Sequence, residues 1–376
     1  MKYYLIAGEA SGDLHASNLM KALKQVDPAA EFRFWGGDLM QQQGGTLVKH
    51  YRQLAFMGFA EVLMNLPTIL SNIAFCKKDI QAWQPDVLLF IDYPGFNLRI
   101  AKWARRKGYR THFYISPQIW AWKENRISDI RRDIDQMYVI LPFEKQFYED
   151  KHRYKVHFVG HPLIDAIADR PPVDAEAFRK EYGLDRRPVI ALLPGSREQE
   201  ISKMLEIMLS ITGHFPDHQF VIAGAPSQDR SFYDRFLKGR NIHLIMNRTY
   251  DLLSLSTAAL VTSGTATLET ALFKVPEVVC YKGNRISYEI ARRIIKLDYI
   301  SLVNLIMDRE VVKELIQADL NPENLRRELQ RILSADTRQR IFSDYYELEQ
   351  KLGGAGASQK TARLIYETLT ATQQPT

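Results

Sequence analysis

The sequence predicts an α/β protein of two successive parallel-sheet units with a helical C-terminus. Three observations carry that expectation. Short β-rich runs alternate with helical patterns along the chain. Those runs are apolar throughout rather than alternating, as strands covered on both faces by crossover helices are. The length, 376 residues, suits two domains of roughly 150 residues or more each.

In chain order, strands are expected at 3–7, 32–35, 87–91, 111–115, 137–140 and 156–159, then at 189–193, 219–223, 243–246, 259–262 and 278–281. Helical patterns such as 98–107 and 203–212 supply crossovers. The boundary is expected within 165–188, where Arg170-Pro171-Pro172-Val173 breaks structure. From 298 onward the pattern is helical, at 304–318, 322–334, 338–352 and 358–370, with starts at Asn321-Pro322 and Ser334-Ala335-Asp336. Gly353-Gly354-Ala355-Gly356 is a flexible joint, and the residues after Thr370 should fray. The expected domains are 1–165, 166–345 and a 346–376 segment that packs back on the first.

Hydrophobic residues at 46% and charged ones at 25% exclude a disordered or fibrous chain. The net charge of +6 favours an anionic partner without separating nucleic acid, lipid and phosphorylated metabolite. No nucleic-acid module is recognisable. Cys76 and Cys280 sit in apolar runs and read as buried reduced thiols. The first apolar run is too short for a signal peptide, so the cytosol is the expected compartment.

One segment, 54–76, approaches a membrane span, but Glu61, Asn65, Pro67, Ser71 and Asn72 interrupt it. Lys49, Arg52, Lys77 and Lys78 flank it. That pattern fits a segment lying on a bilayer surface through Phe56, Phe59, Leu63, Leu66, Ile69 and Leu70. A core helix pair fits it equally well.

Ligands of open parallel sheets bind beyond the carboxyl ends of the strands, so the turns there are the candidates. After the first strand, Gly8-Glu9-Ala10-Ser11-Gly12-Asp13-Leu14-His15 offers two glycines and a helix start to an anion. Its spacing matches neither a dinucleotide fingerprint nor a P-loop, and a tight turn capped by Ser11 or Asp13 is the alternative. Further on, Asp92-Tyr93-Pro94-Gly95-Phe96-Asn97 sets a carboxylate at the end of a buried strand. Desolvation there would tune it towards a general base, unless it only caps the next helix. In Ser116–Trp122, Trp120 could face a sugar or simply pack. His161 in Gly160-His161-Pro162 reads as structural.

In the second half, Pro194-Gly195-Ser196-Arg197-Glu198 and Ser263-Gly264-Thr265-Ala266-Thr267-Leu268-Glu269 are both small-residue turns opening a helix. Such turns cradle a diphosphate without a metal. Arg197 adds a forked cation, and Glu269 a carboxylate for ribose hydroxyls. Two such turns in one domain point to a nucleotide. Asp133-Ile134-Asp135 is too short a match for a metal motif, no zinc spacing occurs, and no cofactor is expected.

In order, AGEASGD (7–13), IDYPGFN (91–97), SPQIWAW (116–122), LPFE (141–144), VGHP (159–162), LPGSR (193–197), SGTATLE (263–269) and SLVNL (301–305) resemble the lipid-A-disaccharide synthase family. The resemblance runs from Lys2 to about Leu315. It implies the GT-B fold, two Rossmann-like domains facing a central cleft, and an inverting glycosyltransferase. The family joins UDP-2,3-diacylglucosamine to 2,3-diacylglucosamine 1-phosphate and releases UDP.

Carried over by motif, Asp92 is the general base, with Arg197 and Asn304 as further catalytic residues. Gly195, Ser196, Arg197, Ser263, Gly264 and Thr265 hold the diphosphate, Glu269 the ribose, and Arg309 lines the donor site. Gly8, Ser11, Gly12, Asp13, His15 and Trp120 lie on the acceptor side. The resemblance also implies attachment to the cytoplasmic face of the inner membrane through 54–76, helped by basic residues of 99–110, and it allows a homodimer. Alternatives on the same fold are a UDP-sugar epimerase or a cell-wall glycosyltransferase. A non-catalytic, membrane-peripheral UDP-sugar-binding protein is the alternative of another class.

Overall fold

A computed structural model describes residues 1–54, 66–283 and 298–371. The chain divides into two compact units, Met1–Asp169 with Leu352–Thr376, and Arg170–Lys351.

The first unit holds a seven-stranded sheet of β1 (Lys2–Ala7), β2 (Glu31–Gly36), β3 (Thr46–His50), β4 (Val87–Ile91), β5 (Thr111–Tyr114), β6 (Gln136–Val139) and β7 (His157–Phe158). Its order is β3-β2-β1-β4-β5-β6-β7 and every pairing is parallel. The second unit holds β8 (Val189–Leu193), β9 (Gln219–Gly224), β10 (His243–Met246), β11 (Ser256–Thr262), β12 (Glu277–Tyr281) and β13 (Lys313–Ile316). These run parallel in the order β10-β9-β8-β11-β12-β13. The central strands β1, β4, β8 and β11 carry the apolar runs that helices bury on both faces.

Both sheets reverse direction in the same way. The chain steps outward from β1 to β3, then crosses to the other side of β1 to lay down β4. The second unit repeats this around β8, with β11 on its far side. Each reversal leaves two neighbouring strand ends whose following turns diverge, which is where open α/β sheets bind ligands. The registers Ala7↔Ile91 and Leu193↔Val261 bring those ends level.

Two strands lie outside the expected set. The edge strand β3, TLVKH, is only half-buried and so lacks a continuous apolar run. The other, β13, falls inside 304–318, expected as one helix. That helix is only Leu302–Met307. Asp308 takes a left-handed φ of 54°, and Asn304 Oδ1 accepts from the N–H groups of Val311 (2.8 Å) and Val312 (3.0 Å). The chain is thereby turned into β13 alongside β12.

The described residues of the 54–76 segment include part of the helix Leu66–Trp83, with Pro67 at its beginning. Ile73, Cys76 and Ile80 are buried in a core with Trp35 and Phe96, and Ile69 packs against it. Leu70 (54% exposed) and Phe75 (47%) are partly exposed, the Phe75 ring lying 6.1 Å from that of Trp35. Of the bilayer candidates, Phe56, Phe59, Leu63 and the Leu66 side chain lie outside the described residues. No helix among the described residues is long and apolar enough to cross a membrane. Cys76 and Cys280 are buried and unpaired with each other.

The helix Ala335–Lys351 runs unbroken through 345–346, so the chain leaves the second unit only after Lys351. The returning helix Ala357–Ala371 packs along Ala10–Val26. Asp165 fastens the return by accepting from the N–H groups of Gly356 (2.6 Å) and Ser358 (3.0 Å).

Candidate active site

In the first unit, the reversal between β1 and β4 brings AGEASGD and IDYPGFN together. Gly8 lies against the ring of Tyr93, so closely that a Cβ there would meet the ring at 2.4 Å. Gly12 packs on Ala7, where an added Cβ would come within 3.2 Å. Asp92 and Tyr93 both adopt positive φ, 45° and 51°, a strain of about 1 kcal/mol or more each for side chains other than glycine. The buried Asn97 holds it in place. Its Nδ2 group reaches the carbonyls of Asp92 (2.7 Å), Ile6 (3.2 Å) and Ile91 (3.4 Å), tying the turn to both strands.

The strained turn leaves the Asp92 carboxyl half-buried. Burial first, and then the Glu9 carboxylate, push its pKa up to about 6, against a smaller opposing pull from the Tyr93 N–H. A carboxyl of that acidity is ionised at neutral pH yet still basic enough to take a proton from a hydroxyl that is being activated. The sequence singles out Asp92 but not Glu9, whose only signal is its place in AGEASGD, a different motif.

The other residues of this turn divide by role. Ser11 is exposed at the helix start. Asp13 is buried and caps the helix Asp38–Gln42, accepting from the N–H groups of Gly37 (2.7 Å), Leu39 (3.1 Å) and Met40 (3.1 Å). His15 and His161 are both buried, which drives their pKa values down to about 4 and about 3, so both are neutral. His161 Nδ1 accepts from the Leu163 N–H. Trp120 donates through Nε1 to Glu144 Oε1 at 3.2 Å, and Ser116 donates to the same oxygen at 2.6 Å. The fully buried Glu144 also accepts from the N–H groups of Ile140 and Leu141, so it links SPQIWAW to LPFE. The indole N–H of Trp120 therefore already has a protein partner.

In the second unit, the reversal between β8 and β11 brings LPGSR and SGTATLE together. Gly195 has φ 103°, and a Cβ there would lie 2.2 Å from Glu200 Oε2. That oxygen accepts from the Ser196 N–H at 3.1 Å, while Ser227 Oγ donates to the Ser196 carbonyl. The turn is thus held on both sides. Arg197 follows it as the N-cap of Glu198–Ser210, exposed, and its guanidinium makes no hydrogen bond or ion pair among the described residues.

Gly264 faces open space, with nothing within 4 Å of an added Cβ, and Thr265 opens the helix Thr265–Leu272. Ser263 Oγ donates to the Ile300 carbonyl at 2.9 Å. Glu314, which sequence reasoning missed, accepts from the N–H groups of Ile300 and Ser301 and from Asn304 Nδ2, each at 2.9 Å. Asn304 is fully buried with both ends of its amide engaged, so it acts on this turn through the backbone it holds. Arg309 pairs with Asp344 (2.8 Å) and Glu347 (2.6 Å) and is not free for a phosphate. Glu269, half-buried, accepts from Tyr250 Oη at 2.6 Å. Burial raises its pKa and the Tyr250 bond partly opposes this.

Among the described residues no cluster of three or more His, Cys, Asp or Glu side chains could hold a metal. Asp133 is paired with Arg132, and Asp135 with Arg105.

The arrangement is a carboxyl tuned near neutrality at one reversal, and at the other two glycine turns, of which the Gly264 one faces open space, with an arginine that makes no ion pair among the described residues. Comparison with known proteins gives the family. A family model described as Lipid-A-disaccharide synthetase matches residues 3–367. The lipid-A-disaccharide synthase of Syntrophus aciditrophicus is 39% identical, covering 95% of each chain. That of Geobacter metallireducens is 36% identical over 97% of this chain and 96% of its own. Among solved structures, the UDP-GlcNAc 2-epimerase of Neisseria meningitidis, bound to UDP-GlcNAc, shares the fold with a TM-score of 0.65 at 15% identity, covering 99% of this chain and 100% of that one. The fold is of the GT-B type, and the chain belongs to the lipid-A-disaccharide synthase family, as a glycosyltransferase of lipid A biosynthesis.

Proposed function

We propose that the enzyme transfers the sugar of UDP-2,3-diacylglucosamine to the 6-hydroxyl of 2,3-diacylglucosamine 1-phosphate with inversion, releasing UDP. The observation that carries this reading is the strained, half-buried Asp92, with its pKa near 6. Its carboxylate takes the hydroxyl proton as the oxygen attacks the anomeric carbon on the face opposite UDP. The anomeric C–O bond then breaks, and its electron pair leaves on the β-phosphate. The backbone N–H groups of Gly195, Gly264 and Thr265 and the Arg197 guanidinium balance that charge, while Glu269 accepts from the ribose. The test is mass spectrometry of the products formed from both acylated substrates. A disaccharide 1-phosphate with equimolar UDP is expected; an isomerised UDP-sugar without disaccharide would instead identify an epimerase.

Membrane attachment is part of the same reading, since both substrates carry acyl chains. Its support is the exposed pair Leu70 and Phe75 with Lys77 and Lys78 on Leu66–Trp83. Replacing both apolar residues by Ser is expected to release the protein from anionic vesicles while it still folds, with some loss of melting temperature from the contact of Phe75 with Trp35. Continued vesicle binding by the double variant would remove this face from the reading.

A further inference from the structure

We propose that Tyr250 is the positioning residue of the carboxylate that reads the ribose, so that the Tyr250–Glu269 pair, not Glu269 alone, selects a ribonucleoside diphosphate over its deoxy counterpart. This rests on the assignment of Glu269 to the ribose above. Glu269 sits on Thr265–Leu272, one turn in from the open Gly264–Thr265 backbone. A glutamate there has three side-chain torsions, and a carboxylate free to rotate loses rotamer entropy whenever it must meet two hydroxyls at once.

Tyr250, from the neighbouring helix Thr249–Leu255, removes that freedom. Its Oη donates to Glu269 Oε1 at 2.6 Å, within the 2.5–2.7 Å range typical of a hydroxyl bonded to an ionised carboxylate. Oε1 keeps one lone pair, and Oε2 has no protein partner among the described residues. Three of the four lone-pair sites of the carboxylate therefore remain, enough for both hydroxyls of a vicinal diol.

The tyrosine is itself held. Its ring lies 5.2 Å from that of Phe273, and the Arg170 guanidinium stands 5.0 Å from its centroid. Arg170 is fixed in turn by Asp251, which Arg248 also engages at 2.6 Å. This packing has no role in the core that a phenylalanine could not fill. The hydroxyl is the feature that needs explaining, and its one hydrogen bond goes to Glu269.

The experiment measures the affinities of UDP and 2′,3′-dideoxy-UDP by calorimetry for the wild type, Tyr250→Phe and Glu269→Gln. Phenylalanine keeps the ring between Phe273 and Arg170, so folding should be preserved. The wild type is expected to prefer UDP by about 10- to 100-fold, since a site built for a hydroxyl rejects the analogue that lacks it. Tyr250→Phe is expected to cut that preference about tenfold while leaving dideoxy-UDP binding within about twofold of wild type. Glu269→Gln should do the same. If Tyr250→Phe retains the wild-type preference, or weakens both ligands equally, Tyr250 does not position Glu269 and the inference is overturned. A wild type that binds both ligands alike would overturn the ribose assignment itself, and one that binds neither would overturn the donor reading.

Discussion

Replacing Asp92 by Asn is expected to lower the transfer rate about 10³-fold or more while making the protein more stable. The two effects share one cause. Burial and Glu9 hold the folded-state pKa of Asp92 near 6, above the ordinary 3.8. A carboxyl raised in this way favours the folded state fully only below the unfolded value, and the advantage is lost as pH rises through about 6. At neutral pH the ionised group is therefore a burden on the first unit, of about 1–3 kcal/mol once its partial exposure is discounted. Asparagine removes the charge and tolerates the left-handed backbone as well as aspartate does. Thermal unfolding at pH 7.5 should thus rise by a few degrees, with the gain shrinking towards pH 4. In the wild-type enzyme kcat/KM should fall tenfold per pH unit below about 6. Glu9→Gln should move that limb to lower pH by withdrawing the like charge. An Asp92→Asn enzyme that keeps most of its rate would rule out the base.

Arg197→Ala is expected to weaken UDP binding about 10- to 100-fold, the effect of removing one or two charge-assisted hydrogen bonds to a diphosphate. Because its side chain is exposed and its guanidinium makes no hydrogen bond or ion pair among the described residues, the melting temperature should stay within about 1 °C. Arg197→Lys should restore only part of the affinity, a point charge being a poorer match than the planar fork. Calorimetry with UDP reads all three. Unchanged affinity in the alanine variant would assign the diphosphate to the backbone turns alone. The contrast with Arg309 is instructive. Both arginines were carried over by motif, but Asp344 and Glu347 already neutralise Arg309.

The central strands were legible because burial on both faces writes itself into sequence as an unbroken apolar run, as in VLLFI of β4. The edge strand β3 escaped because half of it meets solvent. β13 escaped for a different reason. Its neighbourhood, Asn304 to Ala318, carries a passable helical pattern, and what ends the helix is the Asn304 side chain capturing two N–H groups seven and eight residues ahead. That is a contact between positions, not a propensity of either.

The site divides in the same way. Glycines at 8, 195 and 264, the aspartate at 92 and the arginine at 197 are visible in sequence because turns beyond buried strands have few reasons to carry such residues. Their partners are not visible. Glu9, Glu200, Tyr250 and Glu314 are ordinary polar residues whose roles exist only once a neighbour is placed beside them. Nor could sequence alone separate Asp13, which caps a short helix, from Asp92, which no cap holds.

By itself, then, the sequence determined the two sheets, the turns proposed to bear the chemistry and the family, since local pattern and motif order suffice for each. Only the tertiary structure decided which of those residues are free to act. Freedom depends on what the rest of the fold leaves unpaired: Arg309 is ion-paired and the Asn304 amide engaged, Asp92 is strained and desolvated, and Arg197 makes no ion pair among the described residues.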